Sequence, residues 1–381
     1  MIKVIHVFFL RNLLLIKNII LLGLYFEFVS FSYSDTNLIK QTNALVRQPT
    51  KDEIEMLENK LYKNSKEIEK MFNSNIRIIW CRDFSKSPDS DLPNSTMKLM
   101  RYSFNKYPPE EEILPNYSDY FNPSFLYNGE KVIFSQHLSD PEVWIVNYDG
   151  TKLEYFAKGI VIGNFYDSKD NKEWIYIAKV QRNNYRLGNC IVRKLLDSNA
   201  PEEVVLNKIN FRTIPIMFNL DASLFTIQSF DYKCGYFDII KQVFVPIESK
   251  GNYPMFVNVS KNIFATLIYN NRRISFFDIT KQRRWQVGIN PDENFDGESI
   301  KYIRCINYLD NVYFIFSTSY YVYRSNIDAI PYDNSKIYLA KLSKDMAQFE
   351  KYIPLTLGTF PDYFPAFWVY KTNNFSKTAS K

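Results

Sequence analysis

From residue 75 to residue 371 the chain is a succession of short aromatic and β-branched runs cut by Asn, Asp, Gly, Lys and Pro, and one two-hairpin unit returns along it. A unit of that size cannot bury its apolar faces alone, so neighbouring units must stack. The clearest copy is residues 122–159, where NPSFLYNGEKVIFSQ turns at Asn128-Gly129 and EVWIVNYDGTKLEYFAKG turns at Asp149-Gly150. Asn-Gly and Asp-Gly suit the positive backbone angles of tight hairpins. VIF and VWIV are apolar at consecutive positions, which implies strands buried on both faces, as in sheets stacked face to face.

The unit recurs over residues 161–206, 212–247, 253–287 and 301–355, each copy ending in an outer hairpin such as GYFDIIKQVFVPI or RISFFDITKQRRWQV. IRIIWCRD with MKLMRYSFNKYPPEEEIL supplies three strands near the start, and DYFPAFWVYK supplies a fourth near the end, so the termini complete a sixth unit. Inner strands about 40 to 60 residues apart suit four-stranded propeller blades. The expected fold is therefore all-β, a six-bladed β-propeller over residues 75–371 closed by pairing of the N- and C-terminal segments. An aromatic content of 17% agrees with sheet.

Ahead of the propeller, Thr50 and Glu53 form a capping box. Ile54, Leu57, Leu61, Ile68 and Phe72 then fall on one face of a helix, the single short helix expected, which should dock on the propeller. Residues 1–34 read as a signal peptide or anchor, with Lys3, Arg11 and Lys17 around the apolar run 19–26, and charges cut the stretch below the length of a spanning helix. Residues 35–74 are a polar spacer plus the helix, and 372–381 a flexible tail. Export to the periplasm or beyond is the expectation, with membrane contact only through an uncleaved N-terminus.

The blade at 122–159 carries a resemblance. Pro123, Phe125, Asn128, Gly129, Val132 and Phe134 resemble the TolB-like, or WD40-like, propeller repeat, with Leu126-Tyr127-Asn128 standing where that repeat has Ser-Pro-Asp. WCRD at 80–83, the 143–159 segment, KEWIYI at 172–177 and the closing IYLAKLSKDM and FPDYFPAFWV look, in that order, like secreted bacterial propellers whose activity is not established. The resemblance implies the fold, export and protein contacts in the cell envelope. It carries over no catalytic residue, although some relatives are fused to hydrolases.

Chemistry is mostly excluded by what is missing. A serine hydrolase needs Gly-x-Ser-x-Gly and a histidine base; Gly159 and Gly163 flank a valine, and beyond the leader His137 is the sole histidine. A histidine metal centre, a zinc ribbon and a Gly-rich phosphate loop are absent too, so no cofactor and no metal are expected. The net charge of +6 is mild and its signs interspersed, which argues against nucleic acid. Cys81, Cys190, Cys234 and Cys305 read by default as buried unpaired thiols; should a bridge form, ring closure favours Cys81 with Cys305.

Loops leaving the second strand and entering the first strand of each blade share one face. That places Arg82, Asp83, His137, Arg182, Asp231, Tyr320, Tyr321 and Asp362 around one mouth, the expected site for a ligand or partner. The functional expectation is a monomeric, non-catalytic module binding a protein or a glycan. The alternative is a carbohydrate-active enzyme using paired carboxylates.

Overall fold

The computed structural model describes residues 50–370 apart from 74, 85–95, 138, 182–183, 198, 220, 259–261, 269–271, 292–297, 321–334 and 358–359. The leader and tail expected from the sequence, and the spacer up to residue 49, lie outside the described residues.

The described chain is one helix followed by six sheets. Blade 1 combines β1 (Ile76–Asp83), β2 (Met97–Tyr102) and β3 (Glu110–Glu112) with the last strand, β23 (Asp362–Val369), in the order β23-β1-β2-β3. Blade 2 contains β4 (Phe121–Phe125), β5 (Lys131–Gln136), β6 (Glu142–Asn147) and β7 (Glu154–Lys158). Blade 3 contains β8 (Ile160–Asp167), β9 (Lys172–Gln181), β10 (Asn184–Leu195) and β11 (Glu203–Arg212). Blade 4 has β12 (Leu224–Gln228), β13 (Cys234–Asp238) and β14 (Val243–Glu248). Blade 5 runs β15 (Asn252–Asn258), β16 (Ile263–Ile268), β17 (Arg273–Asp278) and β18 (Arg283–Gly288). Blade 6 runs β19 (Glu298–Tyr308), β20 (Asn311–Tyr320), β21 (Ile337–Leu342) and β22 (Phe349–Pro354). The pairing of β1 with β23, Ile76 opposite Val369 through Arg82 opposite Asp362, closes the ring as the terminal fragments implied.

Blade 4 departs from the four-stranded rule. Its inner segment forms no named strand and meets β12 through the Phe218–Phe225 bridge and local hydrogen bonds, among them Thr226 N to Met217 O, Asn219 N to Leu224 O, Met217 N to Thr226 Oγ1 and Leu224 N to Asn219 Oδ1. Pro215 has no N–H to give to a ladder, and the Ile216 N–H goes to Ile162 O of blade 3 instead. The hairpins differ from expectation as well. Only the glycine of each pair takes a positive φ, +71° at Gly129 and +90° at Gly150, and each closes a turn by donating to Leu126 O or Asn147 O. These are longer loops with a left-handed last residue, not two-residue hairpins.

The helix, α1 (Lys51–Met71), begins where Thr50 O accepts from Ile54 N. Its buried residues are Leu61, Ser65 and Ile68, spaced at one helical face, and Phe72 just past its end continues that face. Phe72 packs against Tyr308 and Tyr313 of blade 6 with ring centroids 5.2 and 4.7 Å away. The same apolar cluster includes Ile76, Ile78 and Trp80 of blade 1. Asn64 Nδ2 donates to Pro354 O at 3.0 Å and Tyr102 Oη to Leu61 O at 3.3 Å. The helix thus docks across the seam where the ring closes.

Inner strands β4, β8, β15, β19 and β23 each slip register near their upstream end. In four of them a non-glycine residue takes a left-handed φ at the slip: Asn122 (+49°), Tyr253 (+52°), Tyr302 (+52°) and Phe364 (+52°). A bulge bends its strand and redirects a side chain, and such a φ costs about 1–3 kcal/mol per residue. A strained position repeated around the axis points to the axis as the place where geometry matters.

Candidate functional site

The mouth expected from the sequence lies at the downstream ends of the second strands. Arg82 and Asp362 meet there, but in a closed site: they are 5% and 0% exposed. Arg82 Nε donates to Asp362 Oδ1 at 2.7 Å and Nη2 to Oδ2 at 3.1 Å, while Nη1 and Nη2 reach Glu110 at 2.7 and 2.9 Å. Trp80 Nε1 is a third donor to the Asp362 carboxylate, reaching Oδ1 at 2.8 Å. Burial raises the Asp362 carboxyl above its ordinary pKa and the Arg82 fork pulls it back. Both neighbouring carboxylates hold the buried Arg82 cation well above its ordinary value, against the desolvation that would lower it. Asp83 accepts from Thr96 Oγ1 at 2.7 Å.

The remaining mouth residues stand apart from this network. His137, at a φ of +62°, donates its N–H to Asp119 Oδ1 at 2.7 Å and keeps its ring half exposed. Asp231 pairs with Lys233 at 2.8 Å on the surface. Arg182 and Tyr321 lie outside the described residues, as does the Tyr320 side chain.

A cavity of about 1180 Å³ follows the axis, and none of Arg82, Asp83, His137, Asp231 and Asp362 lines it. Its wall starts at the bulge residues and runs to the turns that follow the inner strands, so it belongs to the opposite face from the expected mouth. Every blade contributes, with Tyr302 and Arg304 from blade 6, Tyr253 from blade 5 and Phe364 and Trp368 from blade 1 among the lining residues. Tyr302 touches Phe364 and Tyr253 with centroids 4.1 and 5.7 Å apart. Large aromatic area with a few polar groups is the usual make-up of a ligand pocket.

The rim is built by one turn held from both sides. Tyr127 stacks on Tyr166 of blade 3 with centroids 3.6 Å apart, its N–H donates to Glu173 Oε1 at 2.8 Å, and its carbonyl accepts from Trp368 Nε1 of blade 1 at 2.8 Å. Gly129 is required at this turn, because a Cβ there would lie 2.4 Å from the Trp368 indole. Tyr127 and Tyr370 remain about half exposed at the opening.

Among solved structures the chain is similar to TolB from Acinetobacter baumannii, at a TM-score of 0.50 and 12% identity, over 76% of this chain and 66% of that one. The fold is that of a TolB-like propeller. A protein of unknown function from Bacteroides caccae aligns over 78% of this chain and all of its own, with 9% identity and a TM-score of 0.48. Puromycin hydrolase, in an S511A mutant complexed with PGG, aligns over 63% of this chain and 40% of its own at a TM-score of 0.39. No family model matches the sequence, and no curated protein does. This propeller has no helix, among the described residues, long and apolar enough to cross a membrane.

All four cysteines of the propeller are free, so the Cys81–Cys305 bridge that closure suggested is not formed. Strand alternation is the reason. On β19, Arg304 faces the Cys81 side, whereas Cys305 points the other way and donates from Sγ to Phe256 O of blade 5 at 3.2 Å. Sequence reasoning also missed Glu110, Arg304 and the rim aromatics. Glu110 sits in an acidic run with no pattern to single it out, and Arg304 shares its strand with Lys301, so its charge alone did not mark it.

Proposed function

We propose that this chain is an exported, non-catalytic propeller that binds a protein or a glycan in the cell envelope or extracellular space, and that the binding site is the axial cavity with its aromatic rim. The observation that carries the reading is a cavity to which all six inner edges contribute, bounded by repeated strained bulges and opened by exposed tyrosines. Tyr, Trp and Arg are the side chains that dominate binding energy at such sites. Export rests on the basic and apolar leader at residues 1–34.

The enzymatic alternative requires two open carboxylates across a sugar. Asp362 and Glu110 converge, but Arg82 stands between them and their side chains are 0% and 11% exposed, which suits a structural clamp.

Residues 35–381 used as bait against source-cell extract and its glycans test the proposal. Retention of a defined protein or glycan should be lost in a Tyr127→Ala, Tyr370→Ala double variant and kept in Asp231→Ala on the other face. Loss with Asp231→Ala alone would move the site to the original mouth. Release of shortened glycans would make the protein an enzyme.

A further inference from the structure

Arg82 is buried and Arg304 partly buried, and the two differ in their partners. Arg82 has two carboxylates on its fork. Among the described residues Arg304 has none, and its one hydrogen bond runs from Nη1 to Ser124 Oγ of blade 2, at a long 3.4 Å. That bond crosses the axis past blade 1, and both residues line the cavity. Burial pulls the guanidinium down to about 10, which still leaves it a cation at neutral pH. Partly buried on the cavity wall beside Tyr302, Phe364 and Phe125, the guanidinium is partly desolvated and has no carboxylate partner among the described residues, so an anion entering the cavity supplies the counter-charge the fold does not.

The opening limits what that anion can be. Glu130, Asp167 and Asp221 line the outer part of the cavity against a single Lys169. Asp221 is held ionised below its ordinary pKa, by the Ser223 hydroxyl above all. An acidic rim above one partly buried cation repels polyanions and admits a ligand with one negative charge. The planar fork of an arginine matches a carboxylate in two hydrogen bonds, and the aromatic walls match a flat apolar body.

We propose that Arg304 anchors the carboxylate of a small molecule whose flat apolar body lies between the aromatic walls of the axial cavity. The proposal rests on the cavity being the binding site and adds the chemistry of its ligand. Arg304 is then a specificity residue, and its strained neighbour Tyr302 a wall of the same site.

The test uses the full chain and three matched probes, 1-naphthylacetate, the neutral 1-naphthylacetamide and the dianionic 1-naphthyl phosphate, followed by thermal unfolding and by saturation-transfer NMR. The carboxylate should raise the unfolding temperature saturably, with affinity above that of the amide and of the phosphate by about tenfold or more, the worth of a charge-assisted pair. Arg304→Gln should weaken the carboxylate by about ten- to hundredfold, leave the amide unchanged, and unfold without ligand no earlier than the parent, because it removes an uncompensated charge. Equal binding of carboxylate and amide, with transfer from Trp368 in both, would overturn the Arg304 assignment and leave the cavity reading standing. Tighter phosphate binding would overturn the choice of carboxylate. An Arg304→Gln variant that unfolds well below the parent would make Arg304 structural, and no response to any probe would also overturn the proposal.

Discussion

The buried Arg82 is tolerable in this molecule because the register of its own sheet brings the counter-charges. Arg82 and Asp362 are direct partners in the β1–β23 pairing, and Glu110 arrives on the blade's outer strand, so closing the ring and assembling the ion cluster are one event. Removing one member strands the others in a closed site, which costs about 3–5 kcal/mol. Arg82→Ala should therefore lower the denaturant midpoint at unchanged slope, read by urea titration; a loss within about 0.5 kcal/mol, ordinary for a surface change, would refute the clamp. The cysteines allow a second check. Burial raises the Cys81 thiol well above its ordinary value and takes Cys234 to about 12, and both are buried, so neither should react in the native state. A thiol reagent should find four thiols in denaturant without reductant and at most the half-buried Cys190 without denaturant. Fewer than four in denaturant would mean a bridge.

Elements were legible wherever local chemistry decides them. The DIIKQ and DITKQ turns of blades 4 and 5 are one device used twice: Asp238 and Asp278 Oδ1 each accept two turn N–H groups, and Gln242 and Gln282 each donate to a carbonyl at 2.7 Å. Their sequence likeness was the repeat signal itself. The inner segment of blade 4 could not be read as a broken strand, because the Ile216 N–H is diverted by another blade. Likewise the bulges at Asn122, Tyr253, Tyr302 and Phe364 have no residue type common to all four. For α1 the apolar spacing named the docking face, and Phe72→Ala, emptying a fully buried site, should cost about 3–5 kcal/mol in thermal or urea unfolding. The turns also set the acid limit. The Ser and Thr hydroxyls of their own turns lower Asp149, Asp221 and Asp345, so the folded chain holds these protons less tightly than the unfolded one. Their stabilisation is complete above the ordinary carboxyl value near about 4 and is lost as pH falls through that value toward the folded ones. The unfolding temperature should drop between about pH 4 and pH 2, and more shallowly in Asp221→Asn.

At the scale of the whole molecule, the axial cavity exists only once all the blades are in place, and for that reason it was invisible in a chain read from one end to the other. Tyr302 and Phe364 are far apart in sequence and become one wall because β23 returns to the first blade. The same strand supplies Asp362 to Arg82, Trp368 to the rim and Ala366 and Tyr363 to the largest core cluster. A chain ending at Leu357 would keep every local hairpin yet lose the inner edge of blade 1 and an entire side of the cavity. It should unfold with a broad, non-cooperative transition and bind a dye specific for exposed apolar surface, as expected when secondary structure survives without fixed packing. A peptide of residues 360–371 added in trans should restore a sharp transition that rises with peptide concentration, since it binds the folded ring and not the unfolded chain. A truncated chain with the parent's midpoint and slope would show instead that the ring holds without its closing strand, and that closure, the buried ion cluster and the cavity are not coupled.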